Sequence, residues 1–287
     1  MIQGIAIAVL AATIYGFLGL AFEVAAKRGY PNWDFILYKQ CFGTILGLVV
    51  TLALRLPLFE PRVLVLAFVG AVFYVVTCFA YLTASREREI AANWTILNLS
   101  VIVPVLLSVI QFHDKFSYSK VLGFAFTLVA IILIGGLGAR KMTFSRRWVL
   151  WIALAFLLNG WFVILLRFVP EKLSSLFTLY FYGLSAVLAL LYKIAARQGF
   201  TRASGIYRVA AYGAAAHWSG IMLTMIALYY VGRANGHAGL VVYPITNGLT
   251  IVTGVAIGSL FLHQEIASRE KWGMVCGIVA MVFLSFA

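Results

Sequence analysis

Long apolar runs alternate with short polar or basic breaks along the whole chain. The runs are about 20 residues long, which is the length that a helix needs to cross roughly 30 Å of hydrocarbon. They lack the two-residue alternation that is typical of a lipid-facing barrel strand. The pattern therefore predicts ten membrane-spanning helices, at residues 2–26, 33–54, 63–84, 90–111, 120–138, 148–168, 174–195, 207–231, 238–262 and 270–286.

The order of helices and polar breaks occurs twice. His113 and His263 end corresponding helices and are 150 positions apart, without an insertion between the two copies. Near the start of each half, Gly16 and Gly160 are 144 positions apart. Nearly equal offsets along the two halves indicate an internal repeat, and this repeat determines the architecture.

The repeat divides the chain into two five-helix halves, residues 1–138 and residues 148–287, within one membrane domain. Because five is an odd number, the two halves must have opposite orientations in the membrane. Inverted repeats are typical of secondary transporters, which bind substrate between the halves near the middle of the bilayer. We therefore expect an all-α membrane protein with ten transmembrane helices arranged as two inverted five-helix repeats.

Composition supports a multi-pass membrane protein. The chain is 63% hydrophobic and 11% charged, too apolar for a soluble domain of this length. Met1 leads almost directly into an apolar run without a basic start, so we expect no cleavable signal peptide. The net charge of +13 lies in short loops, which indicates topology and not nucleic-acid binding. Loops after odd-numbered segments carry twice as many basic residues as the others, which predicts that both termini lie outside.

The ends of the helices carry a recurring motif. Phe112-His113-Asp114-Lys115 precedes Leu122-Gly123, and Leu262-His263-Gln264-Glu265 precedes Trp272-Gly273. The first helix contains Tyr15-Gly16 followed by Glu23, and the second contains Lys39. These features resemble the EamA-type members of the drug/metabolite transporter superfamily. The chain departs from the family pattern at Gln264 (Gly in the family), Glu23 (Lys) and Lys39 (Arg), and its first motif lacks the Gly-Glu pair.

The resemblance covers the whole chain. It implies a transporter of amino acids, metabolites or amphipathic drugs, with exporters more common than importers. It also implies that both termini lie inside, which opposes the prediction from charge. The direction of transport and the membrane orientation therefore stay open at the level of sequence.

Glu23 and Lys39 are charged residues that lie several positions inside the predicted membrane helices. A charge at the bilayer centre costs about 2.5–3.5 kcal/mol on insertion scales, so Glu23 is a candidate for proton coupling or for anchoring a cation. Lys39 is a candidate for holding a substrate carboxylate. The structural alternative is that Glu23 forms an ion pair with Lys27 or with Lys39. Arg167 is interpreted as an interfacial snorkelling residue. The other eight acidic residues, including Asp34 and Asp114, are interpreted as loop or interfacial groups.

Polar and aromatic side chains complete the candidate site. Buried amides and imidazoles need partners inside a membrane, either between helices or in a substrate, and His217 is a second candidate for proton coupling. Aromatic rings can stack on a substrate or surround an ammonium group. Pro244 loosens the ninth helix beside a polar break. The candidate substrate-binding residues are Glu23, Lys39, Tyr74, Tyr81, Trp94, Asn98, Trp161, His217, Trp218, Tyr243 and Asn247.

The expected function is secondary transport of a small amphipathic metabolite, such as an amino acid or aromatic amine, by alternating access. The alternatives are transport of quaternary ammonium compounds or drugs, and a non-transporting membrane scaffold. The sequence shows no catalytic motif, so no enzyme activity, metal or cofactor is expected. The expected partners are the substrate, the lipid bilayer and protons as a coupling ion. The chain is expected to act as a monomer or homodimer in a bacterial or archaeal plasma membrane.

Overall fold

The computed structural model describes residues 1–87, 90–114, 117–135, 145–262 and 268–285, which are helical almost throughout. The first half forms α1 (Ile2–Lys27), α2 (Asn32–Ala53), α3 (Pro61–Glu87), α4 (Ile90–Leu99), α5 (Ile102–Phe112) and α6 (Tyr118–Gly135). The second half forms α7 (Arg146–Leu165), α8 (Ser174–Ala195), α9 (Ser204–Asn235), α10 (Ala238–Leu262) and α11 (Ser268–Ser285), with two short 3-10 turns between α7 and α8.

The helices have the length and composition of membrane spans. Among the described residues, seven helices are long and apolar enough to cross a bilayer, and three shorter apolar segments accompany them. Together these segments correspond to the ten predicted spans. The prediction of an all-helical membrane protein is therefore confirmed.

The fourth predicted span is broken, contrary to the continuous helix expected over residues 90–111. It forms α4 and α5, which meet at Ser100 and Val101. Pro104 explains the break, because its ring has no N–H and clashes with the carbonyl group four residues earlier. The chain tightens at this point, where the N–H of Val103 donates to the Ser100 carbonyl at 3.0 Å.

The pairing of helices is unchanged when the two halves are exchanged. α1 packs against α9, and their repeat counterparts α7 and α3 also pack together. In the same way, α3 packs against α8 while α9 packs against α2. The pairs α2–α8 and α6–α11 each join corresponding helices of the two halves. This arrangement is the one that an inverted repeat predicts.

Successive spans alternate in direction, which defines two faces of the bundle. We name the face where α1 begins the first face, and the face where α1 ends the second face. By this alternation, α5 and α7 end and α10 begins at the first face. α2 begins and α8 ends at the second face.

Glycines allow α2 and α8 to approach closely. A Cβ at Gly43 would overlap the Tyr182 ring, and one at Gly47 would lie 2.8 Å from the Leu179 backbone. This GxxxG pair is therefore used for packing inside the chain.

Part of the repeat motif lies outside the described residues, namely Lys115, His263, Gln264 and Glu265. The connection at residues 136–144 also lies outside them, so the division at residues 138 and 148 stays a prediction.

Candidate functional site

A partly open cavity lies between the two halves, and the empty space in it, including the open solvent at its mouth, is about 700 Å³. Three helices of the first half (α1, α3 and α4) and three of the second (α7, α9 and α10) supply nearly all of its wall. The lining residues are Tyr15, Leu18, Phe22, Tyr74, Thr77, Cys78, Tyr81, Trp94, Leu97, Asn98, Asn159, Phe162, Val163, Leu166, His217, Thr224, Thr246, Asn247 and Thr250. None of these described residues carries a carboxylate, and most of the wall is apolar or aromatic.

The repeat brings corresponding residues to opposite walls of the cavity. On α1 the lining residues are Tyr15, Leu18 and Phe22. Their counterparts 144 positions later are Asn159, Phe162 and Leu166, and all three also line the cavity. Corresponding residues of the two halves therefore meet at the cavity. Inverted-repeat transporters bind their substrate at this kind of interface between repeats.

Lys39 lies directly behind the cavity wall. Its side chain is fully buried about two turns into α2, and its ammonium group donates a 3.1 Å hydrogen bond to the hydroxyl of Tyr74. The nitrogen also lies 4.6 Å from the centre of the Tyr74 ring and 5.7 Å from that of Tyr182. Among the described residues, no carboxylate forms an ion pair with it. The charge is therefore held by aromatic rings and one phenol.

A second buried pair lies beside this lysine. The hydroxyl of Tyr182 and Nδ1 of His217 are 2.6 Å apart. The His217 ring stacks on the Tyr74 ring, with centroids 4.4 Å apart and planes inclined by 13°. Tyr74 and His217 line the cavity, while Lys39 and Tyr182 lie behind them. The four side chains form one cluster across α2, α3, α8 and α9.

Three hydrogen-bonding groups at the cavity have no hydrogen-bond partner within the described part of the chain. They are the hydroxyls of Thr77 and Tyr81, and Nε1 of Trp94. A buried polar group without a partner is unfavourable, by about 1–3 kcal/mol. All three groups can donate to a ligand that carries acceptor atoms.

The amides at the cavity are bonded through their nitrogen atoms. Asn98 donates to the carbonyl of Trp94 at 2.8 Å, and Asn247 donates to the carbonyl of Tyr243 at 3.0 Å. Asn159 donates to the hydroxyl of Ser100 at 2.8 Å, next to the break between α4 and α5. These bonds fix the orientation of each amide within the wall.

The structure brings together six of the eleven residues predicted for the site. Tyr74, Tyr81, Trp94, Asn98, His217 and Asn247 line the cavity, and Lys39 contacts the lining residue Tyr74. Lys39 itself is not a lining residue, and neither are the remaining four, Glu23, Trp161, Trp218 and Tyr243. Trp161 is 46% exposed on the outside of the bundle, and Tyr243 is fully buried in the core.

The ion pair expected between Glu23 and Lys39 does not form. Glu23 instead pairs with Lys27 one turn later, at 2.6 Å, towards the second face. The alternative interpretation of Glu23, a structural pair at the end of the first helix, is therefore the one that the geometry supports. Its role as a proton-coupling group stays a prediction.

Asp34, Asp114 and Arg167 lie at the faces of the bundle, as expected of loop or interfacial groups, but they form buried ion pairs there. Asp114 is buried at the first face, where both carboxylate oxygens receive hydrogen bonds of 2.9 Å from Arg167. The N–H of Gly239 also donates to Asp114, at 3.1 Å. At the second face, the side chains of Asp34 and Lys193 are each 1% exposed, and Nζ of Lys193 lies 2.5 Å from Oδ1 of Asp34.

The charges of both ion pairs lie at the helix ends where the helix dipole stabilises them. Each carboxylate lies beside the N-terminus of a helix, α10 for Asp114 and α2 for Asp34. Each cation lies beside the C-terminus of a helix, Arg167 just after α7 and Lys193 in the last turn of α8. These are the favourable ends for each charge, so the pairs fasten helices together at the two faces.

Sequence reasoning left several lining residues out of the predicted site. Tyr15 and Asn159 are the clearest case, because the 144-residue offset that relates Gly16 to Gly160 also relates them. The threonines at positions 77, 224, 246 and 250 gave no signal, because a lone threonine is common in an apolar helix. Among the described residues, no group of three or more His, Cys, Asp or Glu side chains is arranged to hold a metal ion.

A bundle of two inverted helical repeats around a central cavity defines this chain as a multi-pass membrane protein of the transporter class. Residues 2–136 match the sequence model of the EamA-like transporter family, part of the drug/metabolite transporter superfamily. The resemblance read from the sequence is confirmed over this first repeat, which is similar to the EamA-like transporters. No curated protein matches the chain in sequence.

The fold also occurs in a solved structure titled "Crystal structure of protein". The two chains share 15% sequence identity with a TM-score of 0.74. The similarity covers 99% of this chain and 98% of the other. At this identity it shows the common fold alone.

Proposed function

We propose that this protein is a secondary transporter of a small amphipathic metabolite, of the amino acid or aromatic amine class, which it binds in the central cavity. The observation that carries the proposal is the composition of the cavity wall. Both repeats contribute to it, and it combines aromatic and aliphatic surface with a few polar groups. This mixture is typical of sites that bind small molecules with one apolar and one polar end.

The charges around the cavity favour a substrate with an acidic group over a simple cation. A quaternary ammonium compound needs a carboxylate or a cage of rings free of other cations. The described wall has no carboxylate, Glu23 is paired with Lys27, and the nearest buried charge is the ammonium group of Lys39. Within the expected class, a zwitterionic or acidic metabolite is therefore the better match.

Transport requires that the cavity opens to each face in turn. The buried pairs at the two faces, Asp114 with Arg167 and Asp34 with Lys193, join helices that would have to separate. We propose that an ion or substrate gradient drives this exchange, with protons as the coupling ion and His217 as a candidate carrier. Export from a bacterial or archaeal cell is the direction that we propose.

The first test is a melting-temperature screen of the purified protein in detergent. The panel contains aromatic and aliphatic amino acids, aromatic amines, choline-like quaternary ammonium compounds, sugars and nucleobases. A ligand at about 100 times its Kd adds roughly 2.7 kcal/mol to the stability of the folded state. We expect amino acids or aromatic amines to raise the melting temperature and the other classes to leave it unchanged.

Two tryptophans provide a matched pair of variants. Trp94 lines the cavity, while Trp161 is exposed on the outside of the bundle. Trp94→Ala is expected to abolish the ligand-dependent shift, and Trp161→Ala to preserve it. Any positive ligand is then tested for counterflow in proteoliposomes. The proposal fails if no member of the panel shifts the melting temperature, or if the bound ligand shows no counterflow.

A further inference from the structure

We propose that the cavity contains a carboxylate subsite formed by Tyr74, Thr77 and His217, with Lys39 and Tyr182 as positioning residues behind it. The inference rests on the proposed function, because it names the chemical group that the transported metabolite must carry. Lys39 does not touch the ligand in this arrangement. It acts through Tyr74, which separates the ammonium group from the cavity.

The hydrogen bond between Tyr182 and His217 determines which nitrogen of the His217 ring carries the proton. Within the described part of the chain, Nδ1 of His217 is the sole hydrogen-bond partner of the Tyr182 hydroxyl. A buried O–H needs an acceptor, so Tyr182 donates and Nδ1 accepts. The proton of the neutral imidazole is then on Nε2. Because His217 lines the cavity, this N–H is available to a ligand as a donor.

The same reasoning fixes the direction of the Tyr74 hydroxyl. The ammonium group of Lys39 has no acceptor function, so it donates and the Tyr74 oxygen accepts. The proton of Tyr74 must then go to another acceptor. Within the chain its neighbour is the thiol of Cys78, which is a weak acceptor. A carboxylate oxygen in the cavity is a much stronger one, particularly beside a phenol that a cation polarises.

Thr77 supplies a third donor on the same wall. It lies three residues after Tyr74 on α3, so the two side chains lie on one face of the helix. Both line the cavity, and the Thr77 hydroxyl has no partner among the described residues. Three donors against two oxygens is a typical arrangement for a bound carboxylate, whose oxygens together accept about four hydrogen bonds.

The electrostatics point the same way. Lys39 contributes a positive charge that no described carboxylate neutralises, and the aromatic rings around it keep water away. In such a low-dielectric setting, the ammonium group of Lys39 attracts an anion in the cavity even though the Tyr74 side chain lies between them. An ammonium group placed at the same point would be repelled. The subsite therefore distinguishes a carboxylate from an amine.

The test compares three ligands of one shape by isothermal titration of the full chain in detergent. L-tryptophan has both the amine and the carboxylate, indole-3-propionate has the carboxylate, and tryptamine has the amine. We expect the two carboxylate-bearing ligands to bind at least about tenfold more tightly than tryptamine, as the loss of a hydrogen bond to a charged group implies. Tryptamine binding as tightly as L-tryptophan would overturn the subsite while leaving the transport cavity in place.

Variants then assign the roles. Lys39→Met is expected to weaken binding of both carboxylate ligands about tenfold and to change tryptamine binding by less than about twofold, because a removed cation affects the anion alone. Tyr182→Phe removes the bond that sets the His217 proton, and we expect a smaller loss, also confined to the carboxylate ligands. The matched control is Tyr180→Phe, whose hydroxyl bonds to the Leu58 carbonyl away from the cavity.

Each further outcome decides the inference. If Lys39→Met weakens all three ligands equally, Lys39 acts only on the fold and the positioning role is wrong. If Lys39→Met does not fold, the comparison of the three ligands on the unaltered protein still decides whether the subsite exists. If none of the three ligands binds and none of the wider panel does, the proposed function itself fails.

Discussion

Arg167, Lys193 and Lys39 are three cations inside the described part of the bundle that differ in their partners. At the two faces, Arg167 and Lys193 are each bonded to a buried carboxylate. In the centre, Lys39 is equally buried but is held by a phenol and aromatic rings. In each of these two pairs at the faces the charges cancel, while at the centre the charge of Lys39 is not balanced by a described carboxylate. A charge that the chain leaves without a counter-ion, beside a cavity, is available to neutralise a ligand.

The comparison separates structural charges from functional ones. Breaking a buried ion pair leaves one charge uncompensated, which is strongly unfavourable. Removing Lys39 leaves no such charge behind. Substitutions at the faces should therefore act mainly on stability, and substitution at the centre mainly on ligand binding.

The largest effect is expected for Asp34→Asn. The variant leaves the Lys193 ammonium group buried without a carboxylate, and we expect it to lower the free energy of unfolding by about 3–5 kcal/mol. Chemical denaturation in mixed micelles measures the change. The double variant Asp34→Asn with Lys193→Met should recover most of the loss. A single variant as stable as the starting protein would show that the pair at the second face contributes nothing.

An intermediate effect is expected where α2 packs on α8. A Cβ at Gly43 would overlap the Tyr182 ring, so Gly43→Ala should displace that ring and lower stability by about 1–3 kcal/mol. It should also weaken binding of carboxylate ligands, since Tyr182 holds His217. The control is Gly183→Ala, whose Cβ would meet Thr44 at an ordinary 3.7 Å. Equal behaviour of the two variants in denaturation and titration would contradict the close contact.

A small effect on stability is expected for Lys39→Met. The variant loses one hydrogen bond and the cation–π contacts but also removes a buried charge, so the free energy of unfolding should change by less than about 1 kcal/mol. Lys193→Met, which leaves Asp34 unpaired, should be destabilised by about 3–5 kcal/mol in the same denaturation experiment. If the two lysine variants lose equal stability, the distinction between centre and faces is wrong.

The smallest effect is expected for Glu23→Gln. Glu23 pairs with Lys27 across one helical turn, and such a pair contributes only about 0.3–0.5 kcal/mol. Titration with L-tryptophan should give the same Kd for the variant and the starting protein. Quaternary ammonium compounds should fail to bind either one. Binding of a quaternary ammonium that is lost in Glu23→Gln would instead support the alternative of cation transport.

The periodic pattern was enough to predict the architecture. Apolar runs of fixed length and the 144- and 150-residue offsets predict ten spans in two inverted halves, and the paired packing of α1 with α9 and α7 with α3 agrees. The break between α4 and α5 was missed. Pro104 is its cause, and its effect was knowable from the proline chemistry alone.

The inward face of each helix could not be predicted in the same way. A membrane helix is apolar on all sides, so its hydrophobic pattern does not distinguish the lipid side from the cavity side. Trp94 and Trp161 therefore look alike in sequence, although one lines the cavity and the other faces outward. Asp114 and Arg167 are 53 positions apart, and only the tertiary fold shows that they form a pair.

We expect the carboxylate of the substrate to bind beside Tyr74 and His217, with the apolar end of the ligand elsewhere in the cavity. An experimental structure of the protein soaked with p-bromo-L-phenylalanine tests it most directly, because anomalous scattering locates the bromine. We predict carboxylate oxygens at about 3 Å from the Tyr74 hydroxyl and Nε2 of His217, with the bromine at the far wall. A ligand whose bromine lies against Tyr74, or whose carboxylate lies away from both groups, would contradict it.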